Sequence, residues 1–170
     1  MNELISSDEK KKPQWRVLYN GALGCFKNDE NNTPKIAAFD LDETIITTAG
    51  DNLFPINEED WKFKYSKEII IKKLKNLERQ GFKLIILTNQ MGISSKKNIN
   101  ITHSLVQRRI QNVLNEIGIS SIQAFYAAKY DKFRKPEIGM LNYCIEYCNC
   151  DEGINLDLSF FVGDAGKFII

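Results

Sequence analysis

Four short apolar runs separated by amphipathic stretches are the feature that most limits what this chain can fold into. Ile36–Phe39 reads as a buried strand, and Ser66–Gln80 as a helix that stops at Gly81. Lys83–Leu87 follows as a second strand. From Thr102 to Ile117, apolar residues recur at helical spacing (Leu105, Val106, Ile110, Val113, Leu114, Ile117), and Gly118 supplies the stop. Ile122–Ala127 gives a third strand, Glu137–Cys148 a helix after Pro136, and Ser159–Val162 a fourth strand. Nearly continuous apolar strands that alternate with helices predict an α/β domain with a parallel sheet and helices on both faces. In that architecture ligands bind beyond the carboxyl ends of the strands.

Every one of those strand exits carries polar residues. Asp40-Leu41-Asp42-Glu43-Thr44 follows the first strand, Thr88-Asn89-Gln90 the second, a basic stretch ending Arg134-Lys135-Pro136 the third, and Gly163-Asp164-Ala165-Gly166 the fourth. Singly, each is explained as a helix cap or a turn. Together they converge on one edge of one sheet. Asp40 and Asp42 would repel each other unless something cationic holds them, and the chemistry that needs this set is phosphoryl transfer. Asp40 is the candidate nucleophile, and Asp42 the general acid and base. Asp164 completes an oxygen shell around Mg2+. The Thr88 hydroxyl and the Lys135 ammonium would hold the phosphoryl oxygens.

Composition narrows the class. The chain has 170 residues, 43% of them hydrophobic, which suits one domain with a sizeable core. Lys and Arg number 23 against 22 Asp and Glu, so nucleic-acid binding has to come from local patches. Ser94-Ser95-Lys96-Lys97 and the group Lys129, Lys132 and Arg134 are such patches; Asn89, Lys96, Lys97 and Arg134 are the candidate substrate contacts. No apolar run reaches the length of a membrane span, and the charged N-terminus lacks the apolar stretch of a signal peptide, so an intracellular protein is expected. Cys144, Cys148 and Cys150 lack zinc-site spacing and read as ordinary thiols, and His103 as a packing or surface residue. Residues 43 to 65 leave room for a hairpin-like flap near Gly50 but not for a lid domain, which keeps the site open to bulky substrates.

DLDET, LTNQ, RKP and FVGD, in this order, resemble the four motifs of the haloacid dehalogenase (HAD) superfamily of phosphatases. More narrowly, KIAAFDLDETIITTAGDNLFPINEEDWKF, GFKLIILTNQMGI, FRKPEIGM and SFFVGDAGK are similar to the 3′-phosphatase domain of the polynucleotide kinase/phosphatase family. The resemblance implies a HAD-like Rossmannoid three-layer fold over residues 15–170, without a cap domain, after a flexible segment at 1–14. It implies a Mg2+-dependent enzyme that removes 3′-phosphates from damaged DNA ends, prefers single-stranded or frayed ends, works with DNA-repair proteins and resides in the nucleus. It also implies metal ligation by Asp40, the backbone carbonyl of Asp42 and Asp164. Glu43 stands where that family usually has glycine. The resembled fold continues with a further strand and helix, so a C-terminally truncated domain is expected. Alternatives are a small-molecule phosphatase of the histidinol-phosphate type, a phosphoprotein phosphatase, and a non-catalytic binding module.

Overall fold

β3 (Ile36–Phe39) has no charged residue and is paired on both sides, which places it inside the sheet. The computed structural model, which describes residues 14–27, 32–95, 100–149 and 153–164, builds outward from this strand. β6 (Lys83–Asn89) and β8 (Phe160–Val162) lie parallel to it on either side, and β7 (Gln123–Ala127) lies parallel to β6. Two N-terminal strands, β1 (Gln14–Leu18) and β2 (Leu23–Lys27), extend the sheet beyond β7 as an antiparallel hairpin, giving the order β1-β2-β7-β6-β3-β8. The four strands expected from sequence are therefore the parallel core. The hairpin is an addition to it.

Helices cover both faces. α1 (Lys67–Arg79) buries Leu74, while α2 (His103–Ile117) buries a stripe that runs from Leu105 to Ile117. These side chains pack with Ala37, Leu84, Ile86, Ala124 and Tyr126 of the sheet. On the other face α3 (Gly139–Cys148) sets Met140, Leu141, Cys144 and Cys148 against Ile36, Ala38, Ile85, Leu87, Phe125 and Ala127. Alternate residues of β3 thus go to opposite cores, as period-two geometry requires. Each fully buried aliphatic side chain contributes roughly 1.5–3 kcal/mol. α2 is closed at both ends: the Thr102 hydroxyl accepts from the Leu105 amide at 3.2 Å, and Gly118 ends the helix at φ 68°. Cys25, Cys144 and Cys148 are buried thiols; Cys150 lies outside the described residues.

The connectivity fixes where a ligand can go. From β3 the chain moves through α1 to β6 and through α2 to β7, then returns through α3 to β8 on the far side of β3. The strand order reverses at β3. Its carboxyl end is the topological switch point, where loops diverge and leave a crevice. Beside it, β4 (Ile46–Thr47) and β5 (Lys62–Phe63) pair antiparallel and frame the flap. Buried Asp60 organises that flap by accepting from the amides of Ala49, Gly50 and Ile56. Among the described residues no helix is long and apolar enough to cross a membrane.

Candidate active site

Asp40 is the first residue past β3, and its amide donates to the Val162 carbonyl of β8 at 2.8 Å. The switch point is thereby closed up at backbone level. One carboxylate oxygen of Asp40 accepts from the Leu41 amide at 2.7 Å, and the other lies 2.6 Å from the Lys135 ammonium. Burial pushes the Asp40 carboxyl above its ordinary value, against the opposing field of Lys135. Burial likewise lowers Lys135, and the charge of Asp40 opposes that shift. Burial thus works against the charge on both groups, and each offsets part of that shift in the other. Gly163 passes so close that a side chain there would meet the Phe161 ring at 2.7 Å and Asp40 Cβ at 3.6 Å.

Asp42 faces elsewhere. Leu41 between the two is fully buried, and its carbonyl accepts from the amides of Ile45 and Ile46, which folds 41–46 into a tight turn. The Asp42 carboxylate accepts from Arg109 at 2.9 Å and from the Gln90 carboxamide at 2.6 Å. Gln90 also donates to the buried Thr88 hydroxyl at 3.0 Å, so Thr88 and Asp42 are joined through one side chain. Glu43 adopts a left-handed φ of 58°, and its carboxylate is engaged by Lys64 and Thr47.

Asp40 is paired with Lys135, Asp42 is joined to Thr88 through Gln90, and the charge of Asp42 acts on both Asp40 and Lys135, so the two pairs are neighbours. Thr88 and Asn89 lie within β6, which runs past the expected strand end at Leu87. Asn89, expected to touch substrate, instead grips the backbone of Lys135: it donates to the Lys135 carbonyl at 3.1 Å and accepts from the Lys135 amide at 2.9 Å. Arg134 donates to the same carbonyl at 3.2 Å, and its guanidinium covers the Tyr130 ring at 4.6 Å. Asp164, exposed at the β8 exit, is near enough to raise the proton affinity of both Lys135 and Lys64 by its charge. Lys96 and Lys97 lie outside the described residues. Gln90 and Arg109 had no assigned role in the sequence expectation. Arg109 was detectable, because an arginine at position 109 falls on the apolar stripe set by Leu105, Val106 and Val113.

The donors available to a metal are all oxygen: the carboxylates of Asp40 and Asp164 and the carbonyl of Asp42, on which no backbone hydrogen bond ends among the described residues. Those residues contain no cluster of three or more acidic, histidine or cysteine side chains able to hold a metal. Two carboxylates and one carbonyl suit a hard divalent ion that keeps several of its waters, which is the habit of Mg2+.

Comparison with known proteins agrees with this geometry. The family model described as polynucleotide kinase 3 phosphatase matches residues 35–169. A bifunctional polynucleotide phosphatase/kinase of Schizosaccharomyces pombe is 33% identical over 162 residues, covering 92% of this chain and 36% of the relative. A polynucleotide 3′-phosphatase of Arabidopsis thaliana is 32% identical over 181 residues, covering 95% of this chain and 25% of the relative. The chain thus spans about a third and a quarter of their respective lengths. A solved protein of Mesorhizobium loti described as a HAD-like phosphatase superposes with a TM-score of 0.69 at 19% identity, over 87% of this chain and 73% of the other. By its match to the family model over residues 35–169, and with the fold of the HAD-like Mesorhizobium loti protein, this chain belongs to the polynucleotide kinase 3 phosphatase family.

Proposed function

We propose that this chain hydrolyses a 3′-phosphate monoester at a DNA strand end through a phospho-aspartate intermediate. The observation that carries the reading is the division of labour between two carboxylates one residue apart. Asp40 is recessed and paired with Lys135, whereas Asp42 is held by Arg109 and Gln90 with its side chain 39% exposed. Environments that different are what a nucleophile and an acid/base require.

An Asp40 oxygen bonds to phosphorus while the bond from phosphorus to the 3′ oxygen breaks, and the departing oxygen takes a proton from Asp42. Water then attacks the acyl phosphate and gives its proton to Asp42. Inorganic phosphate leaves, and the Asp40 carboxylate is restored. Lys135 and the Thr88 hydroxyl bind the equatorial phosphoryl oxygens and stabilise the charge that spreads over them. Asn89 keeps Lys135 in place through its two backbone contacts. A bound Mg2+, held by Asp40, Asp164 and the Asp42 carbonyl, would offset the repulsion between the carboxylates and the phosphate dianion. The DNA-end substrate is favoured by the family match and by an open site that the flap borders without a cap. A nuclear setting and DNA-repair partners follow from the same reading.

The test is phosphate release from a 3′-phosphorylated oligonucleotide, single-stranded and blunt duplex, with Mg2+ or with EDTA, beside a phosphopeptide and histidinol phosphate. Expected is Mg2+-dependent turnover of the oligonucleotide, faster on the single strand. Asp40→Asn should abolish it, a loss of at least about a thousandfold. Turnover of the peptide or the small phosphate alone would replace the DNA-end reading. No turnover of any of the four would leave a binding module.

A further inference from the structure

Arg109 heads the fully buried side chains by size, yet it sits among Leu105, Val106, Ile110 and Val113 on the apolar stripe of α2. Taking a guanidinium out of water is costly, and an apolar residue of similar volume would pack this position at no such cost. All its hydrogen bonds go to two side chains. One terminal nitrogen donates to Asp42 Oδ1 at 2.9 Å; the other donates to Gln90 Oε1 at 2.9 Å and reaches Asp42 Oδ2 at 3.5 Å. Its Nε has no hydrogen-bond partner among the described residues. The Arg109 side chain is 2% exposed and its partner Asp42 39%. An ion pair that is dry at one end and wet at the other loses much of its attraction to solvent, so stability is a poor explanation for it.

Geometry is a better one. A planar fork meeting both oxygens of a carboxylate fixes the rotation of that carboxylate, which a single contact does not. Gln90 then ties the same carboxylate to Thr88, the hydroxyl proposed to bind phosphate. We infer that Arg109 is a positioning residue: with Gln90 it aims the Asp42 carboxylate at the leaving oxygen and couples that aim to the phosphate-binding hydroxyl. Arg109 is assigned no contact of its own with the phosphate; its side-chain hydrogen bonds among the described residues are with Asp42 and Gln90. The inference rests on the acid/base role given to Asp42 above, and it concerns where that carboxylate points.

Leaving groups separate the two ideas. An alkoxide needs a proton to depart, whereas p-nitrophenolate leaves without one, so a misdirected Asp42 slows the first kind of substrate far more than the second. The experiment compares kcat/KM for a 3′-phosphorylated oligonucleotide and for p-nitrophenyl phosphate in the unmodified chain and in Asp42→Asn, Arg109→Met, Arg109→Lys and Gln90→Leu. Asp42→Asn should show the split, and its absence would sink the acid/base reading itself. Given that split, Arg109→Met should lose about a hundredfold on the oligonucleotide and less than about tenfold on the aryl ester. Arg109→Lys, with charge but no fork, should recover only part of the loss. Equal losses on both substrates, or none, would overturn the inference while leaving the acid/base role intact. A crystal structure of Arg109→Met gives a readout without turnover: the Asp42 carboxylate should be rotated from its present direction, and an unmoved carboxylate overturns the inference. Should that variant fail to fold, Arg109→Lys and Gln90→Leu carry both comparisons.

Discussion

Glu43 and His103 each hold a conformation or charge state that the surrounding structure imposes. Glu43 stands at φ 58°, a region that costs a residue with a Cβ roughly 1–2 kcal/mol and glycine almost nothing. Its carboxylate contacts with Lys64 and Thr47 are exposed, and such contacts return little. Replacing Glu43 by glycine or by alanine removes those contacts equally, so the comparison isolates the backbone. Glu43→Gly should be about 1 kcal/mol more stable than Glu43→Ala in urea, and equal midpoints would mean the turn relaxes out of this conformation. His103 Nδ1 lies 2.8 Å from the Tyr126 hydroxyl, which already accepts from Gln107 at 3.0 Å. With Nδ1 unprotonated the hydroxyl donates to it, and with Nδ1 protonated the ring donates to the hydroxyl, so this contact follows the imidazole's tautomer and charge. Burial, with Lys129 adding to it, lowers the His103 pKa below its ordinary value. The unfolded chain then binds more protons than the folded one below about pH 6.5, and stability falls as pH drops from there through the lowered value. Urea midpoints of the unmodified chain and His103→Gln, which cannot titrate, should converge or cross on going from pH 7.5 to 5. Parallel curves would remove His103 as a contributor.

β1 and β2 show how an element can escape a reading of apolar periodicity. Asn20-Gly21 between Trp15-Arg16-Val17-Leu18 and Leu23-Gly24-Cys25-Phe26 is a hairpin signal, and Tyr19, Asn20 and Gly21 all take positive φ there. Both strands have only five residues; β1 is mostly exposed and gives little apolar pattern, and β2 is interrupted by Gly24. Gly24 has a reason that only the fold reveals: it pairs with Tyr126 across the sheet, and a Cβ there would fall 2.0 Å from the tyrosine ring. That ring packs between Trp15 and His103, with centroids at 5.7 Å from each. Gly24→Ala should therefore cost about 1–3 kcal/mol by urea unfolding, and a cost below about 0.5 kcal/mol would mean the hairpin shifts freely against β7. The parallel strands and three helices were legible because the strands are short but almost wholly apolar, α1 and α2 are followed by Gly81 and Gly118, and α3 begins after Pro136. The candidate site residues are read from the strand exits, whereas Thr88 and Asn89 lie inside β6 and Lys135 stands well beyond the end of β7. Arg109 belongs to the opposite case. It enters the site from the middle of a helix, where pattern alone reads an isolated charge as an interruption of the stripe.

At the scale of the molecule, the residues assigned to the reaction lie at the one sheet edge where strand order reverses. Net charge is +1, and many basic side chains are already engaged: Lys67 with Glu116, Arg108 with Glu58, Lys64 with Glu43, and Lys129 with the Asn20 carbonyl. Lys135 is paired with Asp40, and its neighbour Arg134 is partly occupied by Tyr130 and the Lys135 carbonyl. Among the described residues, these cations would grip a DNA end at its terminal phosphate and little farther along the strand. Counterion release makes that measurable, since each phosphate neutralised on a single strand adds about −0.7 to the slope of log affinity against log salt. For a 3′-phosphorylated ten-nucleotide strand, log kcat/KM against log salt should fall with a slope of about −0.7 to −1.5, the signature of one or two phosphates. A slope steeper than about −3 would require an extended basic track along the strand. The polymer would then be recognised by its backbone rather than by its end.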